Sequence, residues 1–111
     1  MILDRDRVLG ITRNNSKLLT SLVQLLLTEL PTMLDDIETA FANNDPNGLA
    51  DAVHKLKSAL GNFAIPSYHQ QVAALEAASL NFQATDWSQD WLAVKTKLDQ
   101  LCDELTQMAG I

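Results

Sequence analysis

The sequence is poor in the residues that secreted, strand-rich or nucleic-acid-binding chains depend on. It has one cysteine, which excludes an internal disulfide and a cysteine-rich zinc site. Gly and Pro together number 7 of 111 residues, leaving few obligatory breaks in regular structure. Val plus Ile number 10, against 32 for Leu plus Ala. β-branched residues favour strands, and small or straight-chain residues favour helices, so this composition predicts an all-α fold. There are 8 basic residues against 14 acidic ones, for a net charge of −6. So few cations argue against nucleic-acid binding, which needs a basic face. No apolar run is long enough to cross a bilayer; Leu22 to Leu27 is short and broken by Gln24. Met1-Ile2-Leu3 leads directly into Asp4-Arg5-Asp6-Arg7, so no secretory apolar core opens the chain. The expected location is the cytoplasm, without membrane insertion. A glycine-rich phosphate loop is also lacking, which removes the common kinds of ATP site.

What is present is helical periodicity, with 47% hydrophobic residues and a length suited to a single domain spanning 1–111. Leu19, Leu22, Leu26, Leu30, Met33, Ile37 and Phe41 step by three or four, predicting a helix over 16–43 with a kink near Pro31. Asn14, Asn15 and Ser16 offer capping groups before it. Asp45-Pro46 opens a second helix over 46–63, carrying Leu49, Val53, Leu56, Leu60 and Phe63. Pro66 opens a third over 66–82, bearing Tyr68, Val72, Leu75 and Ser79 or Phe82. Asp86 with Gln89 has the spacing of a capping box for a fourth over 87–108. A short extra helix is expected near 4–11. Single apolar stripes and short connections predict an antiparallel up-down four-helix bundle.

The second helix carries the feature of interest. With the Leu49–Phe63 stripe at zero and about 100° per residue, His54 falls near 140° and points to solvent. Asn47, Ala50, Ser58 and Gly61 surround it, and Lys57 lies about 60° round. A solvated helix face normally carries long charged side chains; here a histidine stands among small ones. Another protein could approach that imidazole closely. Lys55 and Lys57 place positive charge nearby, which suits a neutral nucleophilic ring and an incoming phosphoryl group.

The string Ala52-Val53-His54-Lys55-Leu56-Lys57-Ser58-Ala59-Leu60-Gly61-Asn62-Phe63 resembles the phosphorylation segment of histidine-containing phosphotransfer (HPt) domains. His54, Leu56 and Lys57 match that family's pattern, and Leu75-Glu76 stands where a downstream Leu-Glu is expected. Glu29-Leu30-Pro31 and the opening Leu3 to Ile11 look most like the C-terminal HPt module of BarA-type hybrid sensor kinases. Ser58 and Ala64 replace glycines usual in the family, which bears on how closely a partner docks.

The resemblance implies a phosphorelay intermediate with no ATP-dependent kinase activity of its own. His54 would accept a phosphoryl group from a receiver-domain aspartate and pass it to another receiver, with Lys57 offsetting its charge. Asn47, Ala50, Asp51, Ser58 and Gly61 would form the docking face. The domain would need no cofactor or metal, the Mg²⁺ belonging to the receiver. Its partners would be response-regulator receivers or a hybrid sensor kinase, and the chain itself a monomer. The alternative is a non-catalytic helical module that docks a partner on the same face.

Other candidates read as structure. His69 opens the third helix beside its stripe, and two histidines without matching carboxylate spacing make no zinc site. Cys102 reads as a small buried hydrophobe. Trp87 and Trp91 read as packing residues, and Asp35-Asp36 and Asp103-Glu104 as solvated helix faces.

Overall fold

The computed structural model describes residues 1–111. Five α-helices run in order: α1 Arg5–Thr12, α2 Ser16–Ala42, α3 Pro46–Leu60, α4 Pro66–Ser79 and α5 Trp87–Ala109. Helices α2 to α5 form a closed four-helix bundle in which α3 packs between α2 and α4, and α5 closes against both α2 and α4. The short α1 lies against α2. Leu49, Val53, Leu56 and Leu60 of α3 are fully buried, together with Leu98, Leu101 and Leu105 of α5. Each such side chain contributes about 1.5–3 kcal/mol through removal from water.

The helix ends follow local chemistry. Asn15 caps α2 by accepting from the Lys17 and Leu18 N–H groups, and Asp45 caps α3 by accepting from Gly48 N–H. Helix α2 runs unbroken through Pro31, which sits on the exposed face where water can replace the missing bond. Helix α3 stops at Leu60, short of Phe63. The Phe63 and Ala64 N–H groups both turn back to the Leu60 carbonyl. Helix α4 stops at Ser79, and Phe82 falls in a separate 3-10 turn, Phe82–Ala84. Ser79 Oγ donates to the Leu75 carbonyl and accepts from Trp87 Nε1 at 3.0 Å, so this buried hydroxyl ties α4 to the start of α5. Asp86 holds the cap position of α5, yet its side chain makes no capping bond. Instead, stacking of Phe41 on Trp87, with centroids 4.6 Å apart, fixes that end.

The opening residues do more than precede α1. Ile2 and Leu3 are buried, and Leu3 pairs with Ala64 as an isolated β-bridge. Asp4 N–H donates to the Phe63 carbonyl and Ile65 N–H to the Ile2 carbonyl. From α5, Glu104 accepts from Ile2 N–H at 2.8 Å and from Leu3 N–H at 3.4 Å. Glu104 is therefore a tether, not part of a solvated face. Its carboxylate satisfies backbone donors that the single bridge leaves over.

Candidate functional site

Helix α3 presents His54 outward because its opposite stripe is buried between the neighbouring helices. The His54 side chain is 57% exposed. Helix α4 runs alongside, and its Glu76 reaches back to α3. The Glu76 carboxylate oxygens lie 3.3 and 3.2 Å from His54 Nδ1, while Lys57 Nζ lies 2.7 Å from Oε1. One carboxylate thus engages both the imidazole and the ammonium.

The protonation pattern follows. The hydrogen bond from Lys57 holds the Glu76 carboxyl below its ordinary range, with His54 adding in the same direction and partial burial opposing. An ionised carboxylate can only accept, so the contact with His54 requires the proton on Nδ1. In the neutral ring, Nε2 then carries the free lone pair. The contact favours the Nδ1–H tautomer of an exposed ring.

The other expected site residues divide. Asn47, Asp51 and Ser58 are exposed around His54, and Gly61 is half-buried. Ala50 is 8% exposed and cannot form part of a docking face. Its position, about 100° from the apolar stripe, falls on the side that α3 turns toward α4, the side of Lys57. Lys55 lies on the opposite flank, sharing a hollow with Met33, Asp36 and Asp51. Lys57 is 23% exposed and held by Glu76, so the group touching the imidazole is a carboxylate and not a lysine.

Gly61 follows the last helical residue instead of lying mid-helix. Its φ of −60° is open to any residue, and a Cβ there would meet nothing closer than 3.5 Å. The backbone does not require glycine at this position. What glycine provides is clearance on the face two turns beyond His54.

Glu76 is the residue that periodicity missed. The only sequence signal for it was the Leu75-Glu76 pair, which says nothing of a contact spanning 22 positions. His69 is half-buried, its Nε2 3.7 Å from where a Gly61 Cβ would stand. Cys102 is a half-buried free thiol whose pKa is pushed up by burial and by Asp99 and Asp103. Trp87 and Trp91 are buried and stacked with centroids 5.8 Å apart. No group of three or more His, Cys, Asp or Glu side chains converges as a metal-binding set.

No helix is long and apolar enough to cross a membrane. No curated protein and no solved structure matches the sequence. The family model of the Hpt domain matches residues 21–110, from the first turns of α2 to the end of α5, including His54, Lys57 and Glu76. That match and the exposed histidine on the second bundle helix agree: the chain belongs to the Hpt domain family, whose members work in histidine phosphotransfer with receiver domains in phosphorelay signalling.

Proposed function

We propose that His54 is the phosphoryl carrier of this domain, loaded from the aspartyl phosphate of one receiver and discharged to the aspartate of another. The observation that supports it is the Glu76 contact at 3.2 Å, which commits Nδ1 to the proton and leaves Nε2 as the attacking atom. The Nε2 lone pair forms the N–P bond as the acyl-phosphate P–O bond breaks, returning a carboxylate to the receiver. The ring becomes a cation that keeps its Nδ1 proton, and Glu76 stabilises it through the same hydrogen bond. Return transfer reverses these steps, so no proton has to leave the site.

Lys57 is shared between states in this reading. It is paired with Glu76 while the histidine is free, and can turn toward phosphoryl oxygens once they arrive on Nε2. The exposed residues Asn47, Asp51 and Ser58, with the clearance at Gly61, provide the approach surface. The receiver brings the Mg²⁺ and the remaining catalytic groups. The opening residues and Glu29-Leu30-Pro31 favour a hybrid sensor kinase of the BarA type as the setting, with the domain working in the cytoplasm as a monomer.

The deciding experiment mixes the chain with receiver domains charged by radiolabelled acetyl phosphate. Wild type should acquire an acid-labile, alkali-stable label, His54→Gln none, and His69→Gln as much as wild type. Label on His54→Gln would sink the assignment. Receiver binding that survives His54→Ala, with no label on wild type, would establish a non-catalytic docking module.

A further inference from the structure

The strap that precedes α1 fixes where that helix starts. Asp4 N–H donates to the Phe63 carbonyl, Ile65 N–H to the Ile2 carbonyl, and Glu104 accepts from Ile2 and Leu3. The first turn of α1 is thereby anchored against the turn that joins α3 to α4. Arg7 from α1, Asn62 from that turn, and His69 and Gln70 from α4 line one open hollow of about 370 Å³. Gly61 lines it too, and His69 Nε2 lies 3.7 Å from where a Gly61 Cβ would stand.

Two observations set this hollow apart. Its lining contains no carboxylate, in a chain with 14 acidic residues against 8 basic ones. Other surface hollows carry at least one each: Glu29, Asp36 with Asp51, Asp90, and Glu38. Its donors are also unspent. The Arg7, Asn62, His69 and Gln70 side chains make no hydrogen bond within the protein. The carboxylate-paired ammonium groups are those of Lys57 and Lys95. Of the acids near Arg7 in sequence, Asp4 accepts from the Arg7 backbone N–H, and Asp6 lies about 100° round the helix.

Such a lining suits an oxyanion. A guanidinium offers a fork of N–H donors, each primary amide two and a neutral imidazole one. Here they come from α1, the α3–α4 turn and α4, so they reach a bound group from different sides. A planar carboxylate is satisfied by one fork along one edge. A tetrahedral phosphate presents oxygens in several directions and carries up to two negative charges near neutral pH.

We propose that the hollow binds the phosphate group of a small soluble compound. Arg7 makes the charge-assisted contact, Asn62 and Gln70 donate from their amides, and His69 donates from one ring nitrogen. Gly61 lies seven residues beyond His54, about 10 Å along α3, so this site is separate from the phosphotransfer histidine. It holds its anion without a covalent bond.

The test is a titration of the ¹⁵N-labelled chain with inorganic phosphate at fixed pH and ionic strength. Saturable shifts are expected at the Arg7 Nε–H and at the Asn62 and Gln70 side-chain amides. Arg7→Ala should weaken binding about tenfold or more and Asn62→Ala about threefold, since charge-assisted hydrogen bonds are the stronger. Arg5→Ala removes the same charge outside the hollow and should change the affinity less than about twofold. Arg7 and Asn62 are both exposed, and circular dichroism and melting confirm folding; if Arg7→Ala does not fold, Asn62→Ala decides.

Absence of any saturable shift overturns the proposal. Equal weakening by Arg5→Ala and Arg7→Ala, or the same shifts from added chloride, shows general charge screening and overturns it. Shifts confined to His54 and Lys57 place the anion at the phosphotransfer histidine, which also overturns it. Glutarate binding as tightly as phosphate overturns the phosphate assignment in favour of a carboxylate. Cosedimentation with phosphatidylglycerol vesicles that Arg7→Ala abolishes, with no response to inorganic phosphate, assigns the hollow to a lipid headgroup and overturns the soluble ligand.

Discussion

Glu76 and His54 stand 22 residues apart in the chain and 3.2 Å apart in space. The same carboxylate also holds Lys57 at 2.7 Å, so α4 ties down two side chains of α3 at once. Lys57 is therefore not a free cation waiting beside the imidazole. In the proposed relay it would become available as phosphoryl charge arrives and competes with Glu76 for the ammonium.

Glu76→Gln should slow phosphoryl transfer about tenfold, corresponding to ~1.4 kcal/mol, while His54 remains the labelled residue. Rapid-quench transfer from a charged receiver measures the rate. A positioning role also predicts a change in tautomer, visible as altered ¹⁵N shifts of the His54 ring. Loss of rate through misfolding would instead appear in the melting curve.

Lys57→Met should keep the apolar stem and lose the charge. Transfer is expected to fall about five- to tenfold, with stability changed by less than about 1 kcal/mol because the pair is partly solvated. Urea unfolding and the transfer assay separate the two effects.

The lowered Glu76 pKa makes the ion pair pH-dependent in a fixed direction. The folded state binds this proton less readily than the unfolded chain, so the pair stabilises fully above the ordinary carboxyl value of 4.5. That contribution is lost as pH falls through the lower folded value. The stability difference between wild type and Glu76→Gln should shrink as pH falls below 4.5. A difference that grows as pH falls below 4.5 would contradict this linkage.

Gly61→Ala should leave stability unchanged or raise it by up to about 1 kcal/mol, since its backbone is helical and a Cβ has room. Gly61→Gln fills the clearance and should raise the KM for receivers. Thermal melts and transfer kinetics on the same samples check both.

Glu104→Ala removes the acceptor for two N–H groups of the opening strap. A loss of about 1–3 kcal/mol is expected in urea unfolding. Faster hydrogen exchange at Ile2 and Leu3 would place the loss there.

Leu49, Val53, Leu56 and Leu60 repeat at helical spacing, so α3 and the outward direction of His54 were legible from one helix alone. Asp45-Pro46 and Asn15 marked helix starts for equally local reasons. Where α3 and α4 end was less legible, because Phe63 and Ser79 are claimed by partners outside those helices: the Asp4 N–H and the Trp87 indole.

The opening scarcity of cysteine, glycine and β-branched residues, with the apolar period, determined an all-α bundle displaying one histidine. Periodicity reports an angle around a residue's own helix axis and carries no information about which neighbour meets it. Tertiary packing alone decided that Ala50 is covered, that Glu104 tethers the chain's opening and that α1 carries Arg7 to the turn after α3. It also brought Glu76 to His54 and Lys57, because only the alignment of α4 against α3 sets a distance between side chains 22 positions apart.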